Sequence, residues 1–398
     1  MDKIEELLTR GVDKIYPSRD ELEEVLRSGK KLKLYQGFDP TATQLHIGHM
    51  VGLIKLSQWQ KLGHHVIFLI GDGTGQAGDP SGKTKAREKF FTRDELRANA
   101  TDYVKQANKI VDFDGENPVE ILFNGDWLND LKLADILEIA RHFSWQQLAE
   151  RDLFQERIKK GETLSLREAL YPLLQAYDSV AMDVDLELGG SDQTFNMLCG
   201  RTLMKSMKNK NKFVMTTPLL ADSSGNKIGK TEGNAIALTD KPADLFGKIM
   251  SFSDEVIIKC FESLTKVPTE EVINIKVSIE RGDNPMPYKK RLAFEVVKEL
   301  NDESAARRAQ EEFEKVFQDK KTPTFVTELL VKAGEIDILK NIVGAKLAAS
   351  QSDTKRLLTQ GAIEVNGRVI SEPVVNIESR QMLLVKIGKH RFLRIAAK

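Results

Sequence analysis

Cysteine is nearly absent: Cys199 and Cys260 are the only two in 398 residues, and they form no close motif. That excludes a disulfide framework and points to a reducing compartment. Long apolar runs are missing too. No stretch reaches the ~18 apolar residues that a membrane helix needs. The opening residues, MDKIEELLTRGVDKIYPSRDELEE, alternate in charge and hold no apolar signal core, so a cytoplasmic location is expected. Net charge is lacking as well, with 59 Lys and Arg against 59 Asp and Glu. The balance is uneven along the chain. Over residues 341–398 ten Lys and Arg face four Asp and Glu, a local +6, which leaves 49 against 55, or −6, for residues 1–340. A basic tail on an acidic body suits a polyanionic partner; chance asymmetry explains the charge alone equally well.

What is present is an ordinary globular composition, 41% hydrophobic and 30% charged. The length suggests roughly two to four domains. Strand-like and helical stretches alternate along its first half. Residues 31–38, 64–71 and 118–124 read as strands, and 93–113 and 131–143 as helices, with Leu133, Ile136, Leu137 and Ala140 on one face. Residues 1–30 read as helical. This alternation predicts a parallel sheet wrapped by helices, with ligands beyond the carboxyl ends of the strands.

The densest signal is residues 34–50, LYQGFDPTATQLHIGHM. Two of the chain's six histidines, His46 and His49, stand there at the start of a helical pattern that stops at Gly63. A helix N-terminus favours anions, phosphate above all. Gly48 between the histidines opens the backbone to a ligand. Taken alone, the pair could equally be polar caps or two metal ligands, although no third ligand lies nearby. A phosphate site needs a second element. Residues 221–234, ADSSGNKIGKTEGN, supply a candidate: a polar loop after the apolar strand 212–220, carrying Lys227, Lys230 and Thr231. Alone, such a loop reads as solvated surface.

Together the two segments resemble the signature motifs of class I aminoacyl-tRNA synthetases. Residues 46–49 are the H-I-G-H element unchanged; residues 227–231, K-I-G-K-T, resemble a variant of K-M-S-K-S. A competing pattern lies between them. Gly73, Gly75 and Gly78 fit G-x-G-x-x-G after a strand, as in a dinucleotide-binding oxidoreductase. That fingerprint must open a helix, and Asp79-Pro80-Ser81-Gly82 follows at once, so a flexible binding loop is expected instead.

A further cluster fills residues 171–201. Tyr171, Gln175 and Asp178 lie at i, i+4 and i+7, so a helix sets them on one face. The strand 184–188 then runs into Gly189-Gly190-Ser191-Asp192-Gln193, where paired glycines admit a ligand and Asp192 can accept from ribose hydroxyls. Tyr35-Gln36-Gly37-Phe38-Asp39-Pro40-Thr41, Gly78 to Gly82, Asn124-Gly125-Asp126-Trp127, Gln175 to Asp178 and Gly189 to Gln193 resemble the bacterial-type tyrosyl-tRNA synthetase family over nearly the whole chain. The tryptophanyl relatives are the nearest alternative, a dinucleotide-binding oxidoreductase and a non-catalytic RNA-binding protein the more distant ones. One departure is Thr194-Phe195-Asn196, where many members read Trp-Gly-Asn after the Asp-Gln pair.

The resemblance implies an α/β fold: a Rossmann-like parallel-sheet catalytic domain over 1–242, an α-helical anticodon-binding domain over 243–319, a linker over 320–335, and a small α+β RNA-binding domain over 336–398. It implies ATP-dependent activation of L-tyrosine and transfer to tRNA(Tyr) by a homodimer, with residues 143–168 contributing to the contact. His46, His49 and Thr41 would act on the α-phosphate. Lys227, Lys230 and Thr231 would close on the β- and γ-phosphates, with Lys83 and Arg87 on the opposite side. Gly48, Gly190, Asp192 and Leu220 would hold the adenosine. Tyr35 and Asp178 would bind the phenol; Tyr171, Gln175 and Asp79 would hold the ammonium, with Gln193 nearby. Mg²⁺ would arrive on ATP, and no metal site of the protein's own is expected.

Overall fold

A computed structural model describes residues 2–81, 89–149, 152–163, 165–221, 235–315, 327–345, 347–348, 350–379, 381–388 and 391–397. The chain divides into two compact units, Met1–Asp302 and Glu303–Lys398.

The first unit is built on a six-stranded sheet: β1 (Lys14–Tyr16), β2 (Lys33–Phe38), β3 (His65–Ile70), β4 (Glu120–Phe123), β5 (Leu186–Gly190) and β6 (Phe213–Thr217). The order is β1-β6-β5-β2-β3-β4. All pairs are parallel except β1 against β6. After its exposed first residue, His65, β3 is apolar, and Val66 through Ile70 are buried, as a strand covered on both faces requires. From β2 the chain winds one way to β3 and β4, and the other way to β5 and β6. The switch point therefore lies between β2 and β5, where such sheets bind ligands.

Four helices carry the site: α1 (Ile47–Lys61), α2 (Arg93–Ala107), α3 (Leu166–Met182) and α4 (Thr194–Lys208). α1 has eleven buried residues, which explains why its pattern was loose: it is covered on nearly every side. α2 opens on a capping box of Thr92 and Glu95. It also steadies the loop after β2, because Gln106 Oε1 accepts from Leu45 N and Asn99 donates to Pro40 O.

Several expectations are corrected. Residues 1–30 are not wholly helical. Between helices Lys3–Thr9 and Arg19–Arg27 lies β1, a three-residue strand held by a partner two hundred residues away. The glycines 73–78 do open a helix, but only the single turn Thr74–Ala77, which ends at Gly78 with φ +89°. Thr74, Gly75 and Ala77 are buried, so this part is packed rather than a flexible loop. Helix Leu133–Ala140 forms within the expected stretch, and Leu133 and Leu137 of its apolar face are 71% and 60% exposed.

Helices Pro242–Met250, Ile257–Leu264, Thr269–Glu280 and Met286–Leu300 follow within the same unit. Arg10 ties the N-terminus to them. Its guanidinium donates to the carbonyls of Val267 (2.5 Å), Thr265 (2.7 Å), Phe261 (3.1 Å) and Glu262 (3.2 Å), satisfying the open end of Ile257–Leu264. Lys55, buried in α1, donates in turn to the carbonyls of Leu7 and Arg10. Burial, with Arg10 close by, pushes the Lys55 ammonium down to about 7.

The second unit holds a five-stranded sheet of order β10-β9-β12-β13-β7 and a separate pair of β8 and β11. The strands are β7 (Thr327–Val331), β8 (Gly334–Asp337), β9 (Ile363–Val365), β10 (Arg368–Val369), β11 (Val374–Ile377), β12 (Met382–Ile387) and β13 (Arg391–Ala397). β9 and β10 are joined by Asn366-Gly367, at φ +50° and +80°, the two left-handed positions of a tight hairpin turn. The expected linker 320–335 includes β7, which pairs with β13, and the start of β8. Burial of Leu393 and Ile395 opposite these segments accounts for the strand.

Candidate active site

The carboxyl ends of β2 and β5 open into one cavity of about 430 Å³. Its lining includes Tyr35, Thr41, His46, Gly48, His49, Asp79, Tyr171, Gln175, Asp178, Gly190, Asp192, Gln193 and Leu220. Residues far apart in sequence thus meet at the switch point. Lys83, Arg87, Lys227, Lys230 and Thr231 lie outside the described residues.

One end of the cavity is built from α1. His46 is its N-cap, and its Nδ1 accepts from Gly48 N at 3.1 Å. His49 Nδ1 accepts from His46 N at 3.1 Å, and the two rings stack 3.9 Å apart. An imidazole nitrogen that accepts carries no proton, so in both rings the neutral form bears its hydrogen on Nε2. The arrangement yields two ring N–H donors at the positive end of a buried helix. A Cβ on Gly48 would sit 2.9 Å from His46 Cε1, so the glycine also keeps the first ring in place.

The same end receives both flanks of the lysine segment. Leu220 lines the cavity. On the far flank Ile47 N donates to Ile236 O, Leu238 N donates to Leu45 O, and His46 bridges to Ala237.

The other end is acidic. Asp39, Asp79, Asp178 and Glu187 all line it. α3 delivers Tyr171, Gln175 and Asp178 on one face, as the spacing requires, and Pro172 fits within its second turn. Tyr171 donates its hydroxyl to Asp39 Oδ2 at 2.9 Å, and Thr74 donates to the other oxygen at 2.7 Å. Asp178 accepts from Trp127 Nε1 at 2.8 Å and from Asn124 Nδ2 at 3.0 Å, one on each oxygen. Burial pushes its carboxyl well above the usual range; the Asn124 and Trp127 bonds oppose this, and Glu187 and Asp39 add to it. Burial likewise raises the Tyr35 and Tyr171 hydroxyls well above their ordinary value, so both remain donors. Asp79 accepts from Gln193 Nε2 at 2.8 Å, and Gln193 accepts in turn from Asn196 at 2.9 Å. Asn196 belongs to the departing triplet. Thr194 donates to the Ser191 carbonyl, and Phe195 packs against the buried cluster that holds Leu173, Ala176 and Leu203.

Sequence reasoning gave no role to Asp39, Thr74, Asn124, Trp127, Ser179, Glu187 or Lys212. Asn124 and Trp127 stood in a quoted motif, and only their geometry assigns them to Asp178. Among the described residues no group of three His, Cys, Asp or Glu could hold a metal ion, and no helix is long and apolar enough to cross a membrane.

Residues 27–318 match the family model of class I tRNA synthetases (W and Y). The tyrosine–tRNA ligase of Dehalococcoides mccartyi is 39% identical over 98% of both chains. That of Colwellia psychrerythraea is 41% identical over 98% of this chain and 97% of its own. A C-terminally truncated mitochondrial tyrosyl-tRNA synthetase from Aspergillus nidulans superposes with a TM-score of 0.67 at 25% identity, covering 79% of this chain and 94% of that one. With signature helix, cavity and near-complete relatives in agreement, the chain belongs to the tyrosyl-tRNA synthetases of class I.

Proposed function

We propose that this cavity joins L-tyrosine to ATP, giving tyrosyl-adenylate, and then passes the tyrosyl group to tRNA(Tyr). The observation that carries the reading is the polarity of one cavity: an acidic end fit for an ammonium and a phenol, and a helix N-terminus with two ring donors fit for phosphate. In the first step the tyrosine carboxylate attacks the α-phosphorus, an oxygen–phosphorus bond forms, and the bond to pyrophosphate breaks. The protein makes no covalent bond; it positions the reactants and stabilises charge.

Tyr35 and Asp178 hold the phenol in this reading, and a buried carboxylate already bonded on each oxygen keeps further lone pairs for that hydroxyl. Tyr171, Gln175 and Asp79 hold the ammonium, with Gln193 setting Asp79. His46 and His49 donate from Nε2 to phosphate oxygens, and Thr41 assists from the preceding turn. Lys227, Lys230 and Thr231 take the β- and γ-phosphates, and Lys83 and Arg87 the departing pyrophosphate. Gly48, Gly190, Asp192 and Leu220 cradle the adenosine. Mg²⁺ enters as part of the ATP substrate, bridging phosphates. Pyrophosphate exchange with each of the twenty amino acids tests the reading: tyrosine should support it far better than any other. Exchange with tryptophan instead would reassign the chain within its class.

Residues 243–319 serve as the anticodon-binding part and 336–398 as a second RNA contact. Because β7 and β8 pair with tail strands, the clean truncation removes 316–398 rather than 336–398. It should leave pyrophosphate exchange intact and weaken charging of tRNA. The defect should shrink as salt rises, since phosphate contacts are driven by counterion release. An equal loss of exchange would mean that the tail supports the catalytic fold.

The working form is a homodimer. Leu133, Leu137, Trp145 and Leu166, large apolar side chains each more than half exposed on the same compact unit, support a protein contact. Light scattering at micromolar concentration should give twice the 44.8 kDa of one chain; a single-chain mass would refute the assembly.

A further inference from the structure

Behind the ammonium end of the cavity lies a buried ion pair that the reaction does not itself require. Lys212, at the entry to β6, is fully buried, and Glu187 on β5 is 2% exposed. Their charges meet directly through Lys212 Nζ and Glu187 Oε2. Lys212 also donates to Ser179 Oγ at 2.8 Å, and that hydroxyl lies 3.0 Å from the Tyr35 hydroxyl. The second oxygen, Glu187 Oε1, accepts from Gln175 Nε2 at 2.9 Å. Room for this group comes from Gly200 on α4: a Cβ there would lie 2.4 Å from Lys212 Nζ and 3.1 Å from Glu187 Oε2. A charge pair taken out of water is costly to keep unless its geometry has a use.

The use follows from donor and acceptor chemistry. A carboxylate only accepts, so Gln175 must turn its NH₂ toward Glu187. Its carbonyl oxygen then has one direction left. Gln175 Oε1 is buried and has no hydrogen-bond partner among the described residues, while Gln175 lines the cavity. An unpartnered buried acceptor is expensive, and a substrate ammonium would satisfy it.

We propose that the Lys212–Glu187 pair is a positioning device for amino-acid recognition, fixing which end of the Gln175 amide faces the substrate ammonium. The inference rests on the reading of this cavity as a tyrosine site. Lys212 sets the outcome as much as Glu187 does. With Glu187→Gln, the new amide would turn its oxygen to the Lys212 ammonium and its NH₂ to Gln175. Gln175 would then flip, presenting NH₂ to the substrate, where it repels the ammonium. Removing the lysine as well, in E187Q/K212M, frees the new carbonyl to face Gln175 again and restores the original orientation.

The test compares the Kd of tyrosine with that of 3-(4-hydroxyphenyl)propionate, which lacks only the amino group, by equilibrium dialysis on the full chain. Glu187→Gln should cut the preference for tyrosine by about tenfold and leave the desamino analogue within about twofold of wild type. E187Q/K212M should recover most of the preference. Where Glu187→Gln does not fold, E187Q/K212M and E187L/K212L, neither of which buries an unpaired charge, carry the comparison: the first keeps the preference and the second loses it. A preference unchanged in Glu187→Gln, or equal in the two double variants, overturns the proposal and leaves the tyrosine site standing. A wild-type chain that binds both compounds equally would instead remove the ammonium subsite itself.

Discussion

Replacing Asp178 with asparagine should lower kcat/KM for tyrosine in pyrophosphate exchange by about tenfold to about a hundredfold. The carboxylate accepts from Trp127 at one oxygen and from Asn124 at the other. Asparagine turns one acceptor into an NH₂ group that must face one of those donors, and a buried donor left unpaired costs ~1–3 kcal/mol. The substrate phenol also loses a charge-assisted bond worth roughly 1.5–3 kcal/mol. The unpaired donor is there with and without substrate and so weakens the fold; since ~1.4 kcal/mol is one decade, the lost bond to the phenol alone gives about tenfold to about a hundredfold. Phenylalanine has no hydroxyl to lose, so discrimination between the two amino acids should narrow. Tyr35→Phe is the gentler companion, deleting one hydroxyl and little volume; it should narrow the same ratio by about tenfold. Equal losses for tyrosine and phenylalanine in both variants would show that neither residue reads the phenol.

At the opposite end, Lys230→Ala should slow adenylate formation in a single turnover by on the order of 10²-fold or more, about 2.7 kcal/mol, while tyrosine binds as before. Lys230 lies outside the described residues, but the chain enters its segment at Leu220, a lining residue, and returns to pair with the start of α1 through Ile236 and Leu238. An ammonium there meets charge that grows on the leaving pyrophosphate. Such a contact acts on the transition state rather than on tyrosine in its ground state. An unchanged single-turnover rate would take Lys230 out of the reaction.

What the sequence made legible was local. His46 to His49 could be set at a helix start because the apolar strand, the turn and the helical pattern all lie within thirty residues. Tyr171, Gln175 and Asp178 could be aligned because one helix fixes their spacing. The hairpin at Asn366-Gly367 followed from the backbone angles those two residues tolerate. What stayed hidden depends on neighbours distant in the chain. β1 has three residues and no pattern of its own; its partner in β6 makes it a strand. Lys212, beside a strand, looks like any surface lysine until the parallel pairing of β5 with β6 brings Glu187 within reach. Trp127 and Asn124 are ordinary loop residues until β4 ends beside the floor of the cavity. The single helical turn at Thr74–Ala77 was missed because Pro80 and Gly82 were read as breakers of the whole segment, whereas they stop only its continuation.

The four carbonyls held by Arg10 impose an order on synthesis. Arg10 leaves the ribosome well before its partner Val267, which follows 257 positions later. At roughly 5–20 residues per second, that is a delay of roughly 10–50 s during which the guanidinium lacks its four carbonyls and has only the neighbouring Glu6 carboxylate. The ammonium of Lys55 can find its carbonyls at Leu7 and Arg10 within the first sixty residues, but the corner they form cannot close. β1 waits nearly as long, for β6. The corner at Arg10 therefore stays an unfinished edge through that interval, and the segment that seals it is the helical one beyond the catalytic sheet rather than the sheet itself.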